Sequence, residues 1–371
     1  MTDTPSILII GAGPVGLTAA LELARRGFRP RIVDRAAAPT PETESRALAI
    51  HDRTLRLLGP SGMAERLVAA GNRVTCAEIR RGGRHIAELD LTVLGNPHPY
   101  ILVLPQGSTE RLLEDGLAGY GIAVERETEC TGLSISGDMV TATLESVGNR
   151  RAVTADLVVS ADGVHSTVRR DAGIALAGGE SEPQAFGLVD AKLARPIDPG
   201  RAVFTMLPDG ALGRIPISDT LVRYVSNRPD IGTAIPDSEG VENIVWRSSF
   251  HITYQRAETF QKGPVYLMGD AAHVHSPAGG RGMNLGMEDA AWFAWALAEN
   301  RLQRYSEDRM PYAIRTLKFS RAQTGQITGA TKLRSALAAA VAPLMLAVPP
   351  IRRLAVRSIL ALHTPLPPWL D

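Results

Sequence analysis

Ile7-Leu-Ile-Ile10 is a short apolar run that passes straight into Gly11, the pattern of a buried strand ending in a turn. The Ala- and Leu-rich stretch from Pro14 to about Arg26 predicts a helix, and Gly27 supplies its stop. Arg31-Ile-Val-Asp34 predicts a second strand. In the middle of the chain, Ala202–Leu207, Gly213–Ile217 and Leu221–Ser226 read as short strands, punctuated by Pro208-Asp-Gly210 and Ser218-Asp219. Residues 181–263 therefore predict a β-sheet, and an insert at 73–99 is expected to pair with it. Val265-Tyr-Leu-Met is another strand-like run. A glycine-rich break follows, and an amphipathic helix then runs toward Trp295. Strands alternating with helices at both ends of the pattern predict an α/β fold.

Two of these turns carry chemistry. In Gly11-Ala-Gly13-Pro14-Val15-Gly16 the first glycine permits the tight turn and the second lets the backbone approach a pyrophosphate. The third lets helix pack on strand, and the helix N-terminus favours phosphate oxygens. Asp34, with Arg35 beside it, lies 18 residues beyond Gly16, where a carboxylate can hold the adenosine ribose hydroxyls. Near the other end, Gly269-Asp270 closes a strand, and Pro277, Gly279, Gly280 and Gly282 precede Met283-Asn284. That order suits a backbone passing close to a flat polar ring system, with the Asp270 carboxylate aimed at hydroxyls. The first turn alone indicates a dinucleotide; the pair indicates FAD.

Composition narrows the class. A chain of 371 residues can form two domains, and a formal net charge of +1 gives no bulk attraction to nucleic acid. Cys76 and Cys130 are too few for a disulfide framework, and the N-terminus has no basic, apolar leader, so a cytoplasmic location is expected. His273 and His275 form a His-x-His pair, but no carboxylate or cysteine stands at matching spacing, so no metal is expected.

Four features, in this order, resemble the class A flavoprotein aromatic monooxygenases, the para-hydroxybenzoate hydroxylase family. They are the Gly11–Gly16 turn with Asp34; Ser45-Arg46-Ala with Arg53-Thr54-Leu55; Ala161-Asp162-Gly163 through Arg169; and the Gly269–Asn284 stretch. The similarity covers roughly residues 5 to 325. It implies a Rossmann-like FAD-binding domain of the glutathione-reductase type, a β-sheet substrate domain and a C-terminal helical segment. The corresponding divisions are 1–72, 100–180 and 264–330; 73–99 and 181–263; and 331–371. By the same resemblance Arg46 lies along the FAD pyrophosphate, Gln106 contacts the ribityl or adenosine side, and Asp162 and Gly163 hold FAD. Asp270 binds the ribityl hydroxyls. Pro277, Gly280, Gly282, Met283 and Asn284 line the flavin edge through backbone, with no side-chain nucleophile. Arg281 departs from the glutamine common in the family and is expected to change the charge near the flavin rim.

The implied reaction uses NADPH, or NADH, and O2 to hydroxylate an aromatic or polyketide-like molecule through a flavin C4a-hydroperoxide. The chain shows no second glycine-rich fingerprint for the nicotinamide, which binds transiently in this family. Met206, Arg214 and Tyr224 are candidate substrate residues. Two alternatives are a monooxygenase that inactivates a tetracycline-type antibiotic and a non-catalytic flavoprotein that shelters a reactive ligand. Ser335 to Ile351 carries no charge and is too short and too rich in proline to span a membrane. The tail is expected to pack over the active-site mouth or against the partner of a homodimer, with interfacial membrane contact as the other reading.

Overall fold

The computed structural model describes residues 4–44, 47–208, 210–228, 230–275, 279–328, 341, 343–362 and 365–370. Among the described residues its helices include α1 (Pro14–Arg25), α2 (Asp52–Leu58), α3 (Met63–Ala70), α4 (Gln106–Ala118), α5 (Thr167–Asp171), α6 (Arg281–Ala298), α7 (Tyr305–Thr328) and α8 (Pro349–Ile359).

The FAD-type motifs sit on a six-stranded sheet. Its order is Gln261–Lys262, Val265–Leu267, Leu157–Ser160, Ile7–Ile10, Arg31–Val33, Val124–Glu125. All neighbours are parallel except the first pair. The central strands are apolar throughout because helices bury both faces of a parallel sheet. α1 packs against both α4 and α6, so the helices that start at the two glycine-rich turns lie side by side.

Residues 129–155 form a separate antiparallel meander of Glu129–Ser136, Met139–Ser146 and Asn149–Ala155. The hydrophobic pattern does not predict this sheet. Gly137 and Gly148 make its turns possible at φ +59° and +71°, where a side chain would be strained.

The third layer is an eight-stranded sheet in the order His273–Val274, Val241–Ala257, Leu176–Leu193, Leu221–Ser226, Gly210–Pro216, Arg201–Leu207, Cys76–Arg81, Arg84–Asp90. The Cys76–Asp90 hairpin joins it through a parallel pairing of Cys76–Arg81 with Arg201–Leu207. Strand alternation gives the sheet two unlike faces. One carries Val189, Leu212, Val222 and Tyr224 beneath Ile231, Ala234 and Val241. The other carries Ala202 and Ile215 against Leu48 and Val103, which belong to the nucleotide-type half of the chain, and against Val74 at the start of the 73–99 insert. Its hairpin end carries Ala77 and Leu89, packed on Val356 and Leu360 of the tail. The tail is fastened again at its end, where Trp369 stacks on Trp295 with ring centroids 4.7 Å apart, and Arg56 donates to the Leu370 carbonyl.

Candidate active site

The first glycine turn is built to leave one opening. A Cβ on Gly11, which sits at φ +100°, would fall 2.3 Å from the Ala161 carbonyl oxygen. One on Gly16 would fall 1.9 Å from the Gly11 carbonyl oxygen. A Cβ on Gly13 would meet nothing within 4 Å. Two glycines are therefore required by the fold itself, and the third faces free space at the uncapped N-terminus of α1. Backbone N–H groups and the positive end of a helix dipole at such an opening fit a phosphate. Asp34 follows the second strand, and its carboxylate accepts the N–H groups of Ala12 and Ala36, which sets it beside the same opening.

The second motif converges on this point. Gly269 (φ +57°) and Gly286 of α6 both lie against the Val15 side chain; their added Cβ atoms would fall 3.0 and 2.6 Å from Val15 Cγ2. Small residues at this crossing bring the start of α6 onto the start of α1. Asp270 is exposed at the turn, while its neighbours Gly269 and Ala271 are buried.

Behind the turn is a buried charge network. Asp289 of α6 accepts from the Gly269 N–H at 3.2 Å, from His273 Nε2 at 2.6 Å and from Arg309 Nε at 2.7 Å. Arg309 also donates to Glu288 at 2.7 Å, and Glu288 accepts from Arg53 at 3.1 Å. Burial opposes the charge on Asp289, but the Arg309 guanidinium and His273 hold its carboxyl below the usual carboxylate range. Arg169 ties in the third motif by donating to the Ala271 carbonyl at 3.1 Å and the Val164 carbonyl at 2.9 Å. Asp162 accepts from Ser160 Oγ at 2.6 Å and the Val168 N–H at 3.3 Å, which holds the Asp162-Gly163 turn next to the first glycine turn.

Asn284 is fully occupied within the protein. Its Oδ1 accepts from the His51 N–H at 2.9 Å and Thr54 Oγ1 at 2.7 Å; its Nδ2 donates to the Ala49 and Gly280 carbonyls at 2.8 and 2.7 Å. This side chain shapes the glycine loop and leaves backbone groups to face the opening. His51 supports the same loop through an Nε2 contact to the Gly279 carbonyl at 3.0 Å. Burial, aided by the nearby Arg281 charge, lowers the His51 pKa to about 4, so the ring is neutral and donates from Nε2. The folded pKa lies below the unfolded value of about 6.5, so the unfolded chain binds the proton first as pH falls. Stability is then fully present above pH ~6.5 and falls by about 3 kcal/mol on acidification to pH ~4. His51→Gln keeps the donor but cannot titrate. Denaturation midpoints measured across that window are expected to fall less steeply in the variant than in the parent.

Other positions separate. Gln106 opens α4 and donates to Glu110 at 2.8 Å while accepting from the Ala47 N–H at 3.4 Å. Gly282 and Met283 are half-buried in the first turn of α6, with the His275 ring 3.8 Å from an added Gly282 Cβ. Arg35 is exposed. Arg46 and Pro277 lie outside the described residues. Met206 stands on the sheet face shared with Ala202 and turned toward the nucleotide half.

Arg214 and Tyr224 do not belong with Met206. They form a cross-strand pair on the opposite face, where Arg214 Nη1 and Tyr224 Oη both donate to Glu239 at 2.6 and 2.9 Å. Alternation along two adjacent strands puts them there, and residues 231–241 cover them. Arg281 turns part of its side chain toward the tail. Its guanidinium is buried between helices, 3.8 Å from the Phe319 ring centre, and donates to the Ser358 carbonyl of α8. Burial lowers its pKa to about 10, and its guanidinium contacts the tail while its Nε stays close to Gly279 of the loop. His273 is spent on Asp289, and among the described residues no cluster of His, Cys, Asp and Glu could hold a metal ion.

A model of an FAD binding domain matches residues 4–229 and 218–320. A 6-methylpretetramide 4-monooxygenase of Streptomyces rimosus is 35% identical over 390 aligned positions, covering 97% of this chain and 69% of that protein. The chain belongs to the FAD-dependent monooxygenases of this family. An anhydrotetracycline hydroxylase structure from Streptomyces rimosus shares 28% identity with this monooxygenase at a TM-score of 0.77, covering 98% of this chain and 77% of that one. A p-nitrophenol 4-monooxygenase from Pseudomonas putida, at 21% identity, shares the fold with a TM-score of 0.85 and 96% and 98% coverage.

Several residues that shape the monooxygenase's site are not marked by the sequence pattern: His51, Gly286, Glu288, Asp289 and Arg309. Gly286 and Asp289 had a weak signal, as a glycine and a carboxylate on the buried side of an otherwise apolar helix. The others are ordinary until the fold sets them against α6.

Proposed function

We propose that this monooxygenase hydroxylates a planar aromatic or polyketide-like molecule, with NADPH or NADH as reductant and O2 as the oxygen source. The observation that carries the reading is the convergence of two glycine turns on Val15, with free space at Gly13 on one turn and an exposed Asp270 on the other. That arrangement suits an elongated dinucleotide. Gly11, Gly13, Pro14, Val15, Gly16, Asp34 and Arg35 would hold the adenosine and phosphate end. Asp162, Gly163, Gly269 and Asp270, with the backbone of Gly280, Gly282, Met283 and Asn284, would hold the remainder; Arg46, Gln106 and Pro277 complete the proposed set. Bound FAD supplies the electron transfer from the nicotinamide and the oxygen activation.

The chain's own residues position and exclude. The N-terminus of α6 starts at Gly280 without a side-chain cap, so its N–H groups remain for a developing negative charge. The thiols of Cys76 and Cys130 are pushed up to about 11 by burial, so neither offers a thiolate nucleophile at neutral pH. Substrate would lie against Met206 and Phe204 on the sheet face turned to the nucleotide half. Phe204 exposes much of its ring there, and Gly213 leaves room for it with only 3.3 Å to an added Cβ. Residues 1–72, 100–180 and 264–330 would form the FAD-binding part, 73–99 and 181–263 the substrate part, and 331–371 a C-terminal segment. A cytoplasmic enzyme fits the two free thiols, and a homodimer is the proposed assembly.

Polycyclic polyketides and phenols should stimulate NADPH oxidation and O2 uptake together, with a product heavier by one oxygen. Tight FAD without ligand-stimulated O2 uptake by any of them would favour a sheltering flavoprotein instead. Asp270→Ala removes a charge-assisted partner worth ~1.5–3 kcal/mol, so FAD affinity should fall by about 10- to 150-fold. Flavin fluorescence titration measures it, and unchanged affinity removes Asp270 from the site.

A further inference from the structure

The C-terminal segment has two faces, and only one is used. Leu346, Val356, Ile359 and Leu360 turn inward onto the Cys76–Asp90 hairpin and the residues that follow it. On the outward side Val341, Leu344, Met345 and Val348 recur at helical i, i+3, i+4, i+7 spacing, and Leu354 extends the series onto α8. These side chains are 38–73% exposed and make up five of the ten exposed large apolar side chains among the described residues. Arg353 and Arg357 are exposed one turn apart beside Leu354. From Ser335 to Leu370 the chain contains no Asp or Glu. Arg352 is not counted on this face because it lies by Asp90.

We infer that this outward face docks on an anionic lipid bilayer surface. Apolar side chains at helical spacing enter the headgroup boundary, and the two arginines meet the lipid charge. No described helix is long and apolar enough to cross a membrane, so the contact is interfacial. The charge pattern argues against a second copy as the occupant. A two-fold interface through this face would gather both arginines of each copy into one patch, with no Asp or Glu between Ser335 and Leu370 to pair them. The docked segment would then lie between the bilayer and the 76–90 hairpin on which it packs.

The FAD-loaded full chain should co-sediment with vesicles of phosphatidylcholine containing phosphatidylserine, and only weakly with phosphatidylcholine alone. Arg353→Gln with Arg357→Gln should weaken binding about thirtyfold, at ~1 kcal/mol per arginine. Leu344→Asp with Met345→Asp should abolish it. Both pairs lie on the outward face, so flavin absorbance and thermal midpoint should stay at parent values. The arginine pair leaves every apolar contact in place and serves if the aspartate pair fails to fold. Absence of binding to the anionic vesicles overturns the inference, as does binding that neither pair reduces. A concentration-dependent dimer lost in Leu344→Asp with Met345→Asp, without vesicle binding, overturns it in favour of self-association.

Discussion

Replacing Asp289 by Ala is expected to cost about 3–5 kcal/mol of folding stability and to release FAD, because it strands buried charge. The carboxylate holds three donors at once: the Gly269 N–H, His273 and Arg309. Arg309 is wholly buried, and burial disfavours its charge; Glu288 and Asp289 more than reverse that and hold its pKa above the ordinary range. Without Asp289 its Nε has lost that acceptor, and the Gly269 N–H loses its anchor next to Asp270. Urea denaturation of the variant, with flavin content measured on the same sample, checks both halves. Stability within about 1 kcal/mol of the parent would show that Glu288 alone can satisfy Arg309. The depressed Asp289 pKa fixes the sign of its pH effect. The folded state binds this proton less readily than the unfolded state, so the contribution is present above the unfolded pKa near 4 and is lost as pH falls through the folded value.

The three glycines of the first turn are expected to fail in different ways. Gly16→Ala puts a methyl 1.9 Å from a backbone carbonyl oxygen that cannot step aside. The helix must move off the strand, at about 3 kcal/mol or more, and little folded protein should be recovered. Gly11→Ala adds an unfavourable φ to a similar clash with Ala161. Gly13→Ala meets no protein atom, so the apoprotein should fold with an unchanged thermal midpoint. Its methyl would occupy the space through which the backbone reaches a phosphate. Losing one such charge-assisted hydrogen bond lowers FAD affinity by about 10- to 150-fold. Apoprotein melting and flavin titration on the three variants separate the cases. A Gly13→Ala protein with parental FAD affinity would move the pyrophosphate away from this turn.

Much of the site was legible along the chain because its devices are local. A strand ending in Gly-x-Gly-x-x-Gly, with an acid after the next strand, encodes a turn, a helix start and a hydroxyl partner within about thirty residues. The Gly269-Asp270 stretch is local in the same way, and so is the Asp162-Gly163 turn. Each needs only backbone conformations that its own glycines permit, which is why 11, 163, 269 and 280 all lie at positive φ.

Other assignments depended on which side of an element faces what. Met206, Arg214 and Tyr224 look alike as residues of short strands, yet the pleat and the register put Arg214 and Tyr224 under residues 231–241 and Met206 on the other face. Arg281 stands inside the flavin motif, but a long side chain on the first turn of α6 can swing to either side. Phe319 and the Ser358 carbonyl, thirty-eight and seventy-seven residues away, drew it toward the tail. The Asp289 network joins residues from 53 to 309, and no spacing rule reaches that far. By itself the sequence determined the α/β pattern, the two dinucleotide turns and the cofactor type, because these rest on backbone geometry and short-range chemistry. Tertiary structure alone decided the buried ion network, which side chains share a face of the eight-stranded sheet and the course of Arg281. Those outcomes rest on long-range packing, in which desolvated charges must find partners wherever the fold brings them.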